Sequence, residues 1–211
     1  MKKGIIFDLD GVICSTDHYH YLAWKALADK LGLYFDETIN NRLRGVSRME
    51  SLQIVLERAE TEYTQAEKEQ FAFEKNELYK TLLVQMNTSD LSEEVRTTLE
   101  ALRSRGYKLA IGSSSKNTKL ILSRIGLTDF FDAIADGTDI TYSKPHPEVF
   151  LLAAERLGLK PGECLVVEDA RAGIEAAARG GFESAGIGEA AAHTSVTYPI
   201  AHFSDLLTIA K

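Results

Sequence analysis

The segment Phe7-Asp8-Leu9-Asp10-Gly11-Val12 sets two carboxylates one residue apart at the end of an apolar run and follows them with glycine. Aspartate is ordinarily ionised at neutral pH, so such a pair has the means to act as a nucleophile, to carry a proton or to hold a hard cation. A solvated turn is the competing reading of the pair taken alone. Farther along, the hydroxyl of Ser113 closes the run YKLAIGS, Lys144 stands in the loop after FDAIAD, and Glu168-Asp169 closes ECLVVED.

These residues need elements to bring them together. GIIFDLD, YKLAIGS, FDAIAD, ECLVVED and FESAGIG each read as a buried strand or its end, with few alternating polar positions. Helical patterns lie between them over 93–105, 117–125, 147–157 and 171–179. Such alternation predicts an α/β fold, a Rossmann-like parallel sheet with helices on both faces. Ligands of open α/β sheets bind outside the carboxyl ends of the strands. Asp8, Asp10, Ser113, Glu168 and Asp169 are all predicted at those ends, with Lys144 beside them. That convergence outweighs the turn reading.

Residues 15–86 break the rhythm with helical signals alone. Ala23, Leu27 and Leu31 recur at helical spacing, as do Leu52, Val55, Leu56 and Ala59, and a Glu-rich helix is predicted over 65–86. So much helix exceeds one crossover. An inserted all-helical cap is expected over 15–87, with the core formed by 1–14 and 88–211 and Asn87-Thr88-Ser89-Asp90 as the return linker.

With 45% hydrophobic residues the chain can bury a core, and its formal charge of -7 without a long basic block excludes a nucleic-acid footprint. Small anions stay open as ligands, because local field matters more than net charge. No apolar run reaches the roughly 18–20 residues that span a bilayer, and the apolar stretch of MKKGIIFDLD is too short and too acidic at its end for a signal peptide. Cys14 and Cys164 have neither metal-like nor redox-like spacing, which suits two thiols in a reducing cytoplasm.

The DxDGV motif, the hydroxyl of Ser113, the SKP lysine and the ED pair match, in order, the four signature motifs of the haloacid dehalogenase superfamily. The chain resembles these phosphoryl-transfer enzymes over nearly its whole length, and 15–87 has the place and size of their helical cap. The resemblance implies that Asp8 is the nucleophile towards phosphorus and that Mg2+ is held by Asp8, Asp169 and the backbone carbonyl of Asp10, with Glu168 behind them or acting through water. Lys144 would hold the transferring phosphoryl group, Ser113 would donate to its oxygens, and the Asp10 side chain would work as general acid and base.

Within that superfamily the cap segments TDHYHYLAWKAL, RGVSRMESLQ and Glu74-Lys75-Asn76, together with SSSKN, resemble the β-phosphoglucomutase family. This implies interconversion of β-D-glucose 1-phosphate and glucose 6-phosphate through an aspartyl-phosphate and a 1,6-bisphosphate. It places Gly45, Val46, Ser47 and Arg48 against the sugar, with Arg48 on the non-transferring phosphate and Ser115, Lys116 and Asn117 completing that second phosphate site. His20, Lys75 and Asn76 fall at the cap–core junction, Trp24 packs against the closing surface, and Thr16 and Asp17 lie in the hinge.

The residues taken singly allow blander readings. His18 and His20 could be polar faces of a helix, Trp24 core, Lys75 a solvated lysine, Arg48 a helix-start surface residue, and Cys14 a small buried residue. His146, His193 and His202 have no assigned role. The alternative activity is a magnesium-dependent sugar-phosphate phosphatase, and a non-enzymatic phosphoprotein-binding module is a third. Glu93-Glu94, Arg44 and Ala170 depart from the family pattern at the second linker, before GVSR and after the ED pair. Sugar phosphates are the expected partners, with no nucleic acid or membrane, and a moving cap suits a monomer.

Overall fold

The computed structural model describes residues 2–44 and 46–209. Its strands are β1 (Gly4–Phe7), β2 (Lys108–Gly112), β3 (Ala133–Ala135), β4 (Cys164–Glu168), β5 (Glu183–Gly186) and β6 (Tyr198–Pro199). Its helices are α1 (Asp17–Lys30), α2 (Glu37–Asn41), α3 (Arg48–Leu56), α4 (Gln65–Leu83), α5 (Glu93–Ser104), α6 (Thr118–Arg124), α7 (Glu148–Leu157), α8 (Arg171–Arg179) and the single turn α9 (Leu206–Ile209). The strands form one parallel sheet in the order β3-β2-β1-β4-β5-β6. The five expected strands are present. The two-residue β6 is too short to carry a periodic signal, and its proline suits only a sheet edge.

The apolar strand runs follow from burial on both faces. Ile5 and Phe7 of β1 join one cluster with Leu99 of α5, Ile121 of α6 and Leu206 of α9. Ile6 points the other way, into a cluster with Phe150 and Ala153 of α7 and Ala176 of α8. The helices α1 to α4 form the insertion, and Trp24, Leu27, Ile39, Leu52, Val55 and Ala72 make its own apolar cluster. Ala23, Tyr79, Leu83 and Met86 pack instead with the sheet side, so the insertion is seated on the core.

Local chemistry sets the helix ends. Thr64 and Glu67 close a capping box at the start of α4, and Ser47 and Glu50 close one at α3. The helix predicted to reach residue 86 stops at Leu83, because the chain turns to bury Met86 and Asn87 caps a new short turn over Thr88–Asp90. Glu93 and Glu94 occupy the first turn of α5, where the helix dipole favours acids. Glu94 also accepts from the Ser204 backbone N–H and hydroxyl, tying α5 to the C-terminal segment. Among the described residues no helix is long and apolar enough to cross a membrane.

The chain runs outward from β1 through β2 to β3, then returns to β4 on the far side of β1. This reversal makes the β1/β4 edge the switch point at which open α/β sheets bind ligands. Phe7 pairs with Ile111 and Val167, so Asp8 and Glu168 leave the sheet at one level, with Ser113 one residue beyond it.

Candidate active site

At that edge lies a buried group of opposed charges. Lys144 donates from Nζ to Asp8 Oδ1 at 2.5 Å and to Glu168 Oε1 at 2.6 Å, with its ammonium also 4.6 Å from the Phe150 ring centre. Burial by itself would lower the Lys144 pKa, but Asp8 and Glu168 more than offset it and hold the ammonium above the usual lysine range. The second Glu168 oxygen accepts from the Ala170 N–H at 2.8 Å, so the backbone serves there although residue 170 lacks a hydroxyl. A Cβ on Gly173 would fall 1.8 Å from Glu168 Oε1, so only glycine lets α8 close over this carboxylate.

Asp8, Glu168 and Asp169 each offer an oxygen within 4.8 Å of the others. Burial pushes the Asp169 carboxyl up to about 8, with Glu168, Asp8 and Asp10 adding to the shift and Lys144 opposing it. Burial likewise pushes Glu168 up, against the pull of Lys144. Acids this crowded resist ionising together, and a hard cation removes that resistance, so the donor set fits a metal ion. Both Glu168 oxygens are already engaged, which leaves Asp8 and Asp169 as the freer donors. Gly11 brings the chain past them, for its φ of +86° is left-handed and a Cβ there would meet Asp169 Oδ2 at 2.1 Å.

The pH dependence follows from Asp169. An unfolded aspartate ionises near about 3.9, whereas folded Asp169 does so at about 8. Between those values the folded state binds more protons, so metal-free protein loses stability as pH rises. Thermal unfolding in a chelator from about pH 5 to pH 8 should show a falling midpoint, and a divalent cation should flatten the slope. The same slope with and without the ion would contradict this reading of the acids.

Asp10 is held differently. Its Oδ1 accepts from the Thr16 N–H at 2.7 Å and its Oδ2 from Thr16 Oγ1 at 2.5 Å. Burial pushes the Asp10 carboxyl up to about 6 in spite of both bonds, with Asp8 and Asp17 contributing. A carboxyl near neutrality is suited to both giving and taking a proton. Tyr79 of α4 donates to Thr16 Oγ1 at 2.9 Å from behind. Lys75, one helical turn earlier, lies 2.8 Å from His20 Nδ1 and stands 4.6 Å from the Trp24 ring centre and 4.5 Å from that of Tyr79. Lys75 is 3% exposed, not a solvated lysine. Burial, then Lys75 and Arg48, lower the His20 pKa well below the usual value and keep the ring neutral. Burial, then Arg48, lower the Lys75 pKa well below the usual value; with Lys75 donating to Nδ1, the proton of the neutral ring sits on Nε2, 3.9 Å from Asp10 Oδ2.

Arg48 opens α3 as a half-buried residue, and burial lowers its pKa. No carboxylate among the described residues lies within ion-pair distance of it or of Lys75. Ser47 spends its hydroxyl on the helix cap, accepting from the Glu50 N–H at 3.3 Å, so Arg48 supplies the charge of that segment. Val46 is half-buried in the preceding bend. Gly45, expected against the sugar, lies outside the described residues.

Across the cleft the segment after β2 folds back on itself. Ser113 is buried and its Oγ accepts from the Ser115 N–H at 3.2 Å, while Ser115 Oγ accepts from the Asn117 N–H at 3.2 Å. Asn117 donates from Nδ2 to Asn76 Oδ1 at 3.0 Å, which brings this segment against the helix that carries Lys75. Lys116 is exposed and has no ion-pair partner among the described residues. The segment rests on Gly137, where a Cβ would fall 2.2 Å from the Ser114 carbonyl oxygen. Trp24 is 2% exposed within the insertion's cluster, with Lys75 over its ring.

Thr16 was expected only as a hinge residue, and its grip on Asp10 has no signature in sequence. Tyr79 was not singled out, although its place four residues after Lys75 puts it on the same helical face. The Asp17 contacts to Asn40 at 3.1 Å and to Arg44 at 2.6 Å also went unforeseen, because they join α1 to α2 and to the turn after it.

The sequence profile of the haloacid dehalogenase-like hydrolase family matches residues 2–181. The β-phosphoglucomutase of Bacillus subtilis is 40% identical over 206 residues, covering 97% of this chain and 91% of that protein. A phosphorylated carbohydrates phosphatase of Thermotoga maritima is 32% identical, over 86% of this chain and 82% of its own. The crystal structure of a β-phosphoglucomutase from Clostridium difficile superposes with a TM-score of 0.90 at 38% identity, covering 98% of this chain and 93% of that one.

Proposed function

The chain belongs to the haloacid dehalogenase-like hydrolase family, and from that premise we propose that it interconverts β-D-glucose 1-phosphate and glucose 6-phosphate as a phosphomutase. The observation that carries this reading is the second basic site. Arg48 lies in the cleft without a carboxylate partner among the described residues, beside the buried, hydrogen-bonded pair of Lys75 and His20, and Lys116 with Asn117 adjoins them through Asn76. A mutase must hold one phosphate while transferring another, whereas hydrolysis needs only the site at Asp8.

In this reading residues 15–87 serve as the cap and residues 1–14 and 88–211 as the core. Mg2+ held by Asp8, Asp169 and the Asp10 carbonyl, with Glu168 behind, would supply the positive charge that lets a carboxylate approach a phosphoryl group. Lys144 holds one Asp8 oxygen and stands ready for the phosphoryl oxygens, to which the Ser113 hydroxyl also donates. Phospho-Asp8 gives its phosphoryl group to the sugar's 6-hydroxyl as that hydroxyl's proton passes to Asp10. The bisphosphate turns round within the site. Asp8 then attacks the 1-phosphoryl group, and the departing C1 oxygen takes the proton back from Asp10, leaving glucose 6-phosphate and phospho-Asp8. Thr16 holds one lone pair of each Asp10 oxygen and so orients the carboxyl, leaving the other lone pairs for the proton.

The relatives that are sugar-phosphate phosphatases favour hydrolysis as the second reading. Arg48→Ala separates the two. It should raise the KM for β-glucose 1-phosphate by about a hundredfold, as loss of a charge-assisted phosphate contact does, while phosphorylation of Asp8 by acetyl phosphate stays within about twofold. Equal losses on both substrates would show that Arg48 holds no second phosphate.

A further inference from the structure

We propose that Asp17 is a positioning residue that ties the sugar-facing segment to the acid–base carboxylate, so that the two are set as one unit. The inference rests on the roles given above to Asp10 and Arg48. Thr16 spends its N–H and its hydroxyl on Asp10 and leaves α1 without a side-chain cap. The next residue holds that first turn instead. Asp17 Oδ1 accepts from Asn40 Nδ2 at 3.1 Å and its Oδ2 from the Arg44 guanidinium at 2.6 Å. Asn40 is 4% exposed in the last turn of α2, and Arg44 stands four residues before Arg48.

The linkage therefore runs from Arg44 through the Asp17 carboxylate and one peptide bond to Thr16, and so to both oxygens of Asp10. An exposed ion pair contributes little to stability by itself, so place rather than strength gives this one its use. Packing does not fix it, because a cleft of about 400 Å³ lined by Ser15, His18, Tyr21 and Asn41 opens beside the pair. Without Asp17, the first turn of α1 loses this tie and Thr16 is free to shift from Asp10.

The test compares wild type, Asp17→Ala, Asp17→Asn and Arg44→Ala in two reactions. One is conversion of β-glucose 1-phosphate with a trace of 1,6-bisphosphate, and the other is phosphorylation of Asp8 by acetyl phosphate, whose acetate leaves without needing a proton. Asp17→Ala should lower kcat for conversion by about tenfold to a hundredfold, the usual cost of a misplaced acid–base group, with KM changed by less than about threefold. Acetyl phosphate should phosphorylate each variant within about twofold of wild type. Asp17→Asn keeps an acceptor for Asn40 and should fall between wild type and alanine. Arg44→Ala should repeat the split, and the double alanine variant should be no worse than the worse single one. Equal loss in both reactions, or conversion unaltered by the variants, overturns the inference. A wild type that forms no glucose 6-phosphate overturns the mutase reading beneath it instead.

Discussion

Asp8→Asn should leave a folded protein whose conversion of β-glucose 1-phosphate is lowered by about four orders of magnitude or more, since a neutral amide is no nucleophile. The fold has reason to tolerate the change. Asp8 and Glu168 share the single ammonium of Lys144 in a buried site, so removing one negative charge leaves a matched pair between Lys144 and Glu168. The thermal midpoint of the metal-free variant should therefore equal or exceed that of wild type, which separates lost chemistry from lost structure. Wild type treated with acetyl phosphate should carry one phosphoryl group on Asp8, read by intact mass and peptide mapping, and the variant none. A variant that still became phosphorylated would place the nucleophile elsewhere.

Asp10→Asn should have the second largest effect, and a selective one. An amide retains acceptance of the Thr16 N–H but neither gives nor takes a proton, so conversion should fall by about two to four orders of magnitude. Sugar oxygens are poor leaving groups without a proton and poor nucleophiles while they keep one. Acetate needs no proton to leave, so phosphorylation of Asp8 by acetyl phosphate should survive. Loss of both reactions together would mean that Asp10 acts through its backbone or through the placement of Asp8, not through its carboxyl.

Much of this arrangement was legible in the residues. The strand cores read clearly because the sheet is buried on both faces, which turns alternation into runs such as Leu165-Val166-Val167. The acids and Lys144 then fell together because parallel strands present their carboxyl ends on one edge. The cap was harder to read. Lys75 sits in the charged stretch EKNELYK, and only the tertiary structure shows its ammonium sealed over Trp24 and Tyr79. Ser47 with Glu50 had the spacing of a capping box, so its commitment to α3 was readable, yet the sugar-facing resemblance obscured it. The hold of Thr16 on Asp10 depends on how the chain turns after Gly11, and Asp17 with Arg44 depends on how α1 meets α2. Neither arises from a local period.

The central claim is that this cleft transfers a phosphoryl group between sugar oxygens in preference to giving it to water. A two-channel assay tests it most directly, with β-glucose 1-phosphate, magnesium and a trace of 1,6-bisphosphate, reading glucose 6-phosphate in one channel and free phosphate in the other. Glucose 6-phosphate should form at least about a hundredfold faster than phosphate is released, because a site closed around a doubly held sugar excludes water. Phosphate appearing without glucose 6-phosphate would contradict the account and make the enzyme a sugar-phosphate phosphatase.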